Sequence, residues 1–399
     1  MKDKFSDRNY ARPDHYYKYP IVLKSASGCT VTDSSGKDYL DFNSVMGTVS
    51  CGHNIPYIND RLIKQINTIW NSNFLPSEIQ LEAISKIDSI LPQNISVAAL
   101  YSTGAEAIEL ALRIAREATG RKRVLSFKDH FHGKTHGTMH LLQHFPDCYG
   151  PAPDSYRTVI DSDGSDDPEI IEEYLNSLPV DDLAAVIFEP VIGYSGPRNL
   201  HRDFLEIIRK FCNKNDVVMI ADEILTGFHR CKGWFFSSQG EIKPDVIVFG
   251  KGLGNGYPVS AVACANSLSK YVNNALPGST FAGNSLGCAA ACGVIDFMQQ
   301  ENFPEKTIKL EQLFCEYFSQ PRFDSCGIKL DGTGGLLSIS FQDPSFSQMQ
   351  DIYLNILRDG VITSHTAKYL RVMPPLTIAP AEFERGLEVI GKSLDALTK

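Results

Sequence analysis

One stretch of the sequence joins an apolar run to a glycine-rich loop through a single lysine: Asp245-Val-Ile-Val-Phe-Gly-Lys-Gly-Leu-Gly-Asn-Gly256. The apolar run predicts a buried strand, and Lys251 would then lie at its end, beside backbone that can bend. Most lysines are solvated surface charges, but a lysine in such a place can be desolvated and nucleophilic. We therefore interpret Lys251 as a candidate for Schiff-base chemistry.

Similar apolar runs recur between about residue 95 and residue 300: Val97–Tyr101, Val124–Phe127, Ala184–Phe188, Val217–Ile220 and Ala261–Cys264. Near-continuous apolar strands of this kind are buried on both faces, as in parallel sheets. Amphipathic segments that predict helices alternate with them, including Ala105–Ala118 and Arg202–Lys214. The alternation predicts an α/β fold with a three-layer large domain on a mostly parallel sheet.

The two ends of the chain lack this alternation. Residues before 50 contain short strands with turn signals, and residues after 300 contain helices and strands in no regular order. We expect a large domain over 51–300, a smaller α+β domain over 301–399, and an N-terminal segment, 1–50, that packs with the small domain. The acidic stretch Asp161–Asp167 is interpreted as a solvated loop.

The composition is that of an ordinary globular protein, with 43% hydrophobic and 21% charged residues among 399. A net charge of −9 provides no basic field for nucleic acid, so we expect no such partner. No apolar run approaches the roughly 20 residues that span a bilayer, and the charged N-terminus lacks a signal-like apolar region. We expect a cytoplasmic protein without a membrane partner, and we expect its scattered cysteines to be reduced.

Two further strand ends carry groups that complement a phosphate and a pyridinium. Ser102-Thr-Gly-Ala-Glu106 follows a strand and opens a helix, where backbone N–H groups and the helix dipole favour an anion. The alternative is that Ser102 or Thr103 merely caps the helix. Asp222 ends another apolar run, and a cationic ring nitrogen would satisfy its buried carboxylate. It could instead cap the following turn or pair with an arginine.

Phe131-His-Gly133 follows the strand predicted at Val124–Phe127 and offers an aromatic face, although Phe131 could also be a core residue. Pyridoxal 5′-phosphate requires a reactive lysine, an anion site, a carboxylate and an aromatic ring face, and the sequence offers all four. We therefore predict that cofactor.

In order and spacing these motifs resemble the class III aminotransferases, which are pyridoxal-phosphate enzymes of fold type I. The matching stretches are Ser102–Glu106, Phe131–Gly133, Phe188-Glu-Pro190, Ala221-Asp-Glu-Ile-Leu-Thr-Gly-Phe228, Pro244–Gly252 and Arg371-Val-Met-Pro-Pro-Leu376. The resemblance extends from about residue 18 to the C-terminus. It implies transfer of an amino group from an amino acid or amine donor to a keto acid, ketone or aldehyde acceptor.

The resemblance also implies a role for each matching residue. Lys251 would hold the cofactor covalently and, once released by the substrate, carry a proton between substrate and cofactor carbons. Asp222 would keep the pyridine nitrogen protonated, and Phe131 would stack on the ring. The other residues implied to bind the cofactor are Ser102, Thr103, Gly104, Ala105, His132, Glu189 and Thr280. Thr280 is similar to the threonine that reaches the partner subunit's phosphate, which implies a homodimer with shared active sites; otherwise it caps a helix starting near Ser285.

Three positions bear on the substrate. Arg371 matches the family arginine that grips a substrate carboxylate, although a structural salt bridge is the alternative. Tyr194 stands where the ω-amino-acid branch has a glutamate that covers or exposes this arginine, and it either shapes the acceptor pocket or simply packs. Leu225 replaces a glutamine that binds the cofactor's phenolic oxygen. Aminomutases of the family place an apolar residue there too, so an aminomutase or epimerase remains the alternative function.

Two stretches of the sequence are also similar to a zinc site and to a dinucleotide-binding loop. His136, His140 and His144 repeat at helical spacing close to His130 and His132, as zinc ligands do. Glycines interrupt this segment and no acidic residue occupies the position of a general base, so we expect no metal. Gly252-Leu-Gly-Asn-Gly256 superficially suggests a dinucleotide-binding loop, but its glycine spacing differs and no acidic ribose partner follows.

Overall fold

The computed structural model describes residues 21–73, 75–142, 157–160, 168–201, 203–240, 243–342 and 344–395. Its strands are β1 (Leu23–Ser27), β2 (Thr30–Asp33), β3 (Asp38–Asp41), β4 (Ile95–Tyr101), β5 (Arg123–Phe127), β6 (Arg157–Ile160), β7 (Leu183–Phe188), β8 (Val191–Ile192), β9 (Arg198–Asn199), β10 (Val218–Asp222), β11 (Val246–Phe249), β12 (Ser260–Ala265), β13 (Ile328–Thr333), β14 (Leu336–Phe341), β15 (Val361–Ile362), β16 (Ser364–His365) and β17 (Tyr369–Val372).

The longer helices are α1 (Pro56–Ile66), α2 (Glu78–Ile90), α3 (Gly104–Thr119), α4 (Pro168–Ser177), α5 (Phe204–Asn215), α6 (Ser269–Ala275), α7 (Ser285–Gln300), α8 (Phe303–Phe318), α9 (Phe346–Arg358) and α10 (Pro380–Asp395). Single helical turns occur at Ser44–Gly47 and His136–Met139. Among the described helices, none combines the length and apolar character needed to cross a bilayer.

The large sheet has the strand order β4-β12-β11-β10-β7-β5-β6. The pairs from β11 to β6 are parallel, whereas β12 is antiparallel to both of its neighbours. Every residue of β7, β10 and β11 is buried, because these strands are covered on both faces. The prediction of a mostly parallel sheet is confirmed. Strand β6, at the edge of the sheet, was not identified from the sequence.

Helices cover both faces of this sheet. Successive strand residues point to opposite faces, so Ile220 joins a core cluster with Ile108 of α3, while Met219 joins another with Ile208 of α5. Helix α3 occupies the stretch predicted to be helical, and α5 begins at Phe204 after Asp203. The predicted three-layer α/β arrangement is therefore confirmed.

Two four-stranded sheets have the orders β1-β2-β3-β15 and β13-β14-β17-β16, and β8 pairs with β9 in a two-stranded sheet. The parallel pairing of β3 with β15 links residues 38–41 to residues 361–362, beside the C-terminal helices. One hydrophobic cluster extends from Cys29 through Ile247 to Leu394, so the core crosses the expected boundaries. The division at residues 50 and 300 stays a prediction. Residues 1–20, the acidic stretch 161–167 and His144 lie outside the described residues.

Candidate active site

A cavity of about 350 Å³ lies at the carboxyl edge of the large sheet. The loops that follow β4, β5, β7, β10 and β11 meet there, because these strands run in one direction and release their loops at one edge. All but two of the site residues predicted from sequence line this cavity, namely Ser102, Gly104, Ala105, Phe131, His132, Glu189, Tyr194, Asp222, Lys251 and Arg371. Thr103 and Thr280 are not among the lining residues.

Lys251 begins a short 3₁₀ turn directly after β11. Its φ of 38° lies in the left-handed region, a strained conformation that tends to occur at functional sites. The glycine that follows is needed for space, because a Cβ at Gly252 would lie 2.9 Å from Cβ of Phe228. Desolvation lowers the pKa of the Lys251 ammonium group, opposed by the nearby carboxylates of Glu189 and Asp222. Burial therefore favours the neutral, nucleophilic amine.

Asp222 ends β10, the strand next to β11, and its carboxylate is held from two sides. Its Oδ2 lies 2.8 Å from Nδ1 of His132, and its Oδ1 accepts a 3.1 Å hydrogen bond from the backbone N–H of Ile224. Both side chains of the Asp222–His132 pair are buried. Asp222 thus caps the turn that follows it, which was one of the two alternative roles. Its side-chain partner is a histidine, so the other alternative, a pair with an arginine, is not observed among the described residues.

The anion site and the helix cap occupy different residues of one turn. The Thr103 hydroxyl caps α3 by accepting from the Glu106 N–H at 3.3 Å, and the Glu106 carboxylate accepts from the Thr103 N–H at 3.0 Å. Gly104 and Ala105 are the first residues of the helix, whose N–H groups have no intrahelical acceptors, and both line the cavity. A Cβ at Gly104 would lie 2.6 Å from Cδ1 of Ile224, so any larger residue here would require the Ile224 side chain to move.

Glu189 follows β7 and is almost fully buried against the loop that carries Phe131. Its Oε2 accepts a 2.8 Å hydrogen bond from the Phe131 N–H, and its own N–H donates to Nδ1 of His130 at 2.8 Å. Desolvation, reinforced by the charge of Asp222, raises the pKa of the Glu189 carboxyl to about 8. Burial also lowers the pKa of His130 well below its usual value, so this imidazole is neutral.

Tyr194 covers Arg371 in the cavity and stacks on Phe131. The rings of Phe131 and Tyr194 stack with centroids 4.4 Å apart, and the Arg371 guanidinium lies 5.5 Å from the centroid of Tyr194. One Nη donates to the Tyr194 carbonyl at 2.6 Å, and the other lies 3.4 Å from the Ser364 hydroxyl. Arg371 itself is 5% exposed. Stacking of Phe131 on a cofactor ring stays a prediction.

Leu225 fills a narrow slot in the cavity wall. A Cβ at Gly47 would lie 2.4 Å from Cδ1 of Leu225, and a Cβ at Gly193 would lie 2.3 Å from Cδ2. The side chain therefore fits between two glycines, with Met373 in the same hydrophobic cluster. This position has no amide to offer a ligand, as the sequence indicated.

Thr280 is exposed, and its carbonyl accepts a 2.9 Å hydrogen bond from Nδ2 of Asn71. The alternative role as a helix cap is wrong, because Asn284 caps α7 by accepting from the Gly287 N–H at 2.8 Å. A contribution of Thr280 to the site of a partner subunit stays a prediction.

The histidine-rich segment forms one helical turn, in which the Nε2 atoms of His136 and His140 lie 3.4 Å apart. Within the described residues, no three His, Cys, Asp or Glu side chains are placed to hold a metal ion. His130 instead accepts from the backbone N–H of Glu189, and His132 contacts the carboxylate of Asp222.

Several cavity residues escaped sequence reasoning: Met46, Thr48, Ile224, Tyr257, Pro258, Val259 and Met373. Met46 and Thr48 lie far in sequence from the recognised motifs, whereas Tyr257, Pro258 and Val259 directly follow the glycine-rich loop and Met373 lies inside the stretch Arg371–Leu376. Ile224 lies inside a recognised motif and could have been chosen, because it follows Asp222 and packs beside the anion site.

The residues present fit pyridoxal 5′-phosphate: N–H groups for its phosphate, a buried carboxylate for its ring nitrogen, and a desolvated lysine for its aldehyde. Comparison with known proteins agrees with this fit. The family model for class III aminotransferases matches residues 11–394. The acetylornithine aminotransferase of Bacillus cereus is 30% identical over 94% of this chain and 95% of its own length. The ornithine aminotransferase of Oceanobacillus iheyensis is 29% identical over 97% of both.

Solved structures give the same result. The acetylornithine aminotransferase of Elizabethkingia anophelis superposes with a TM-score of 0.82 at 28% identity, over 98% of this chain and 97% of that one. The ornithine aminotransferase of Toxoplasma gondii superposes with a TM-score of 0.84 at 26% identity, over 99% and 93%. The chain therefore belongs to the class III aminotransferases, pyridoxal-phosphate enzymes of fold type I.

Proposed function

We propose that this aminotransferase is a homodimer that takes the amino group of an amino acid whose carboxylate binds Arg371 and passes it to a keto acid. One observation carries the proposal: a single cavity contains Lys251, the Asp222–His132 pair, the start of α3 and Arg371. The first three complement the cofactor, and the buried arginine complements a substrate carboxylate.

The cofactor, when bound, supplies an electron sink for the bond that breaks at the substrate carbon. The N–H groups of Gly104 and Ala105 would hold its phosphate, Asp222 its ring nitrogen and Lys251 its aldehyde carbon. Nδ1 of His132 lies 2.8 Å from Oδ2 of Asp222, and this contact fixes the orientation of the carboxylate.

Lys251 would act twice. Its amine would hold the cofactor, and the freed Nζ would carry a proton between the substrate carbon and the cofactor carbon. A lowered pKa suits this role, because a neutral amine can accept a proton near neutral pH. Buried apolar side chains, among them Leu225 and Met373, would limit the access of water to the reacting atoms.

The substrate class follows from the rim of the cavity. The relatives named above are acetylornithine and ornithine aminotransferases, and we propose that this chain likewise acts on an amino acid. Tyr194 covers the guanidinium of Arg371 with a neutral ring. Tyr194 itself has no carboxylate that would compete with the substrate for the guanidinium of Arg371.

Reduction with borohydride tests the role of Lys251. The purified protein is loaded with pyridoxal 5′-phosphate, reduced and digested, and we expect the label on the peptide that contains Lys251. Label on another lysine contradicts the assignment. Lys251→Ala should abolish turnover without unfolding the protein, while Lys270→Ala, at an exposed lysine on α6, should leave turnover unchanged.

A half-reaction screen tests transfer against isomerisation, an alternative that the apolar Leu225 favours. Candidate amino acids are mixed with the loaded protein, and we measure loss of the bound aldehyde by absorption and release of keto acid by mass spectrometry. One keto acid released per active site supports transfer. An amine returned to the same carbon skeleton, with no keto acid released, contradicts it.

A further inference from the structure

The resemblance to class III aminotransferases implies that Leu225 stands where many members have a glutamine that binds the cofactor's phenolic oxygen. We propose that the carboxyl group of Glu189 donates the missing hydrogen bond to that phenolic oxygen. The inference rests on the proposed function, since it requires the cofactor in the cavity described above. Glu189 is thereby a positioning residue for the ring and a determinant of the electronic state of the cofactor.

The first support is the location of the carboxyl group. A Cβ placed on Gly193 would lie 2.3 Å from Cδ2 of Leu225 and 3.3 Å from Oε1 of Glu189. The ends of the Leu225 and Glu189 side chains therefore both lie beside Gly193. Both residues also line the cavity. The carboxyl of Glu189 is therefore a close neighbour of the place where a glutamine amide would otherwise be.

The second support is the orientation of the two oxygens. The Phe131 N–H donates to Oε2 at 2.8 Å, which fixes the plane of the carboxyl group and leaves Oε1 on the side of Gly193. A protonated carboxyl has one O–H to donate, and its other oxygen remains an acceptor. The backbone hydrogen bonds from Phe131 and Gly193 both oppose protonation of the carboxyl, and because Oε2 accepts from Phe131, a protonated Glu189 would donate from Oε1.

The third support is the charge around Glu189. The ionisable groups that face it are Asp222, Lys251 and, through its own backbone N–H, His130. Burial and the negative charge of Asp222 raise the pKa of Glu189 to about 8, against the opposing effects of Lys251 and of backbone hydrogen bonds from Phe131 and Gly193. In the cofactor-free protein this shift favours the protonated carboxyl. An apolar enclosure can keep a carboxylic acid neutral in this way and let it serve as a hydrogen-bond donor.

The competing role for Glu189 is that of an anion paired with Lys251, and three variants separate the two roles. Glu189→Gln keeps a donor and removes the charge, Glu189→Ala removes both, and Glu189→Ala with Leu225→Gln returns a donor at the family position. The dissociation constant of pyridoxal 5′-phosphate is measured for each variant and for the natural protein at pH 7. Thermal unfolding of the cofactor-free proteins confirms that all of them are folded.

We expect Glu189→Ala to weaken cofactor binding by about 10- to 100-fold, the effect of losing one hydrogen bond to a charged oxygen. Glu189→Gln should bind within about threefold of the natural protein because the amide still donates. The double variant should recover at least about tenfold over Glu189→Ala. Binding by Glu189→Gln as weak as by Glu189→Ala, or no recovery in the folded double variant, overturns the proposal.

A spectral titration gives a second readout that does not depend on turnover. The visible absorption of the loaded natural protein should change with pH, and because Glu189 contacts the phenolic oxygen, Glu189→Gln should shift the pH midpoint of that change. An unchanged midpoint in Glu189→Gln overturns the proposal. A natural protein that fails to attach the cofactor at Lys251 would instead remove the proposed function, so the two failures are distinguishable.

Discussion

Replacement of Arg371 should discriminate between donors with and without a carboxylate. Arg371 is 5% exposed, so solvent screens its charge weakly, and it already donates to the Tyr194 carbonyl at 2.6 Å. Removing one partner of a buried charge pair costs about 2–5 kcal/mol. We expect about 3 kcal/mol for Arg371→Ala, which lowers kcat/KM for amino acid donors by about 150-fold.

The assay compares each amino acid with the amine that lacks its carboxylate, as paired half-reaction rates. Arg371→Ala should leave the amine rate within about threefold of the natural protein, because no charge pair is lost. Arg371→Lys should fall between, since lysine keeps the charge but not the fork of donors. Arg198→Ala is the matched control, because Arg198 pairs with Asp129 at 2.9 Å and does not line the cofactor cavity. Equal losses for both kinds of donor would refute carboxylate recognition by Arg371.

Three further predictions concern stability and assembly. The pKa of Glu189 rises from 4.5 to about 8 on folding, so the free energy of unfolding of the cofactor-free protein should fall as the pH rises from 4.5 to 8. In Glu189→Gln, the free energy of unfolding measured with urea should depend less on pH over this range. Gly193→Ala should lower the free energy of unfolding by about 1–3 kcal/mol through overlap with Leu225, and adding Leu225→Ala should reduce that effect in a double-mutant cycle. If each site takes Lys251 from one subunit and Thr280 from the other, a dimer of one Lys251→Ala subunit and one Thr280→Ala subunit contains one intact site. Mixing the two variants should then restore activity, and no restored activity after subunit exchange contradicts shared sites.

The sequence indicated the chemistry of the site because its strongest signals are local. A lysine after a buried strand, a carboxylate at the end of another and glycine at the start of a helix are each recognisable within a few residues. Lys251, Asp222 and Gly104 all line one cavity.

Other features could not be predicted because they depend on contacts between distant residues. His132 was recognised as part of a motif, but its hydrogen bond to Asp222 joins positions 90 residues apart. Thr103 belongs to the predicted anion loop, yet pairing with Glu106 commits it to the helix cap. Met46 and Met373 enter the cavity from the two ends of the chain and have no chemical signature.

The amino-acid sequence by itself determined the α/β alternation, the cofactor and the reactive lysine, because periodicity and the residue types at strand ends are written in short segments. Only the tertiary structure decided which of these groups touch. The order β4-β12-β11-β10-β7-β5-β6 places Asp222 beside Lys251 and brings Glu189 next to Leu225 across the gap at Gly193. Those distances arise from long-range packing that no local pattern encodes. The same packing buries Glu189 and Lys251, which raises the pKa of the carboxyl and lowers the pKa of the amine.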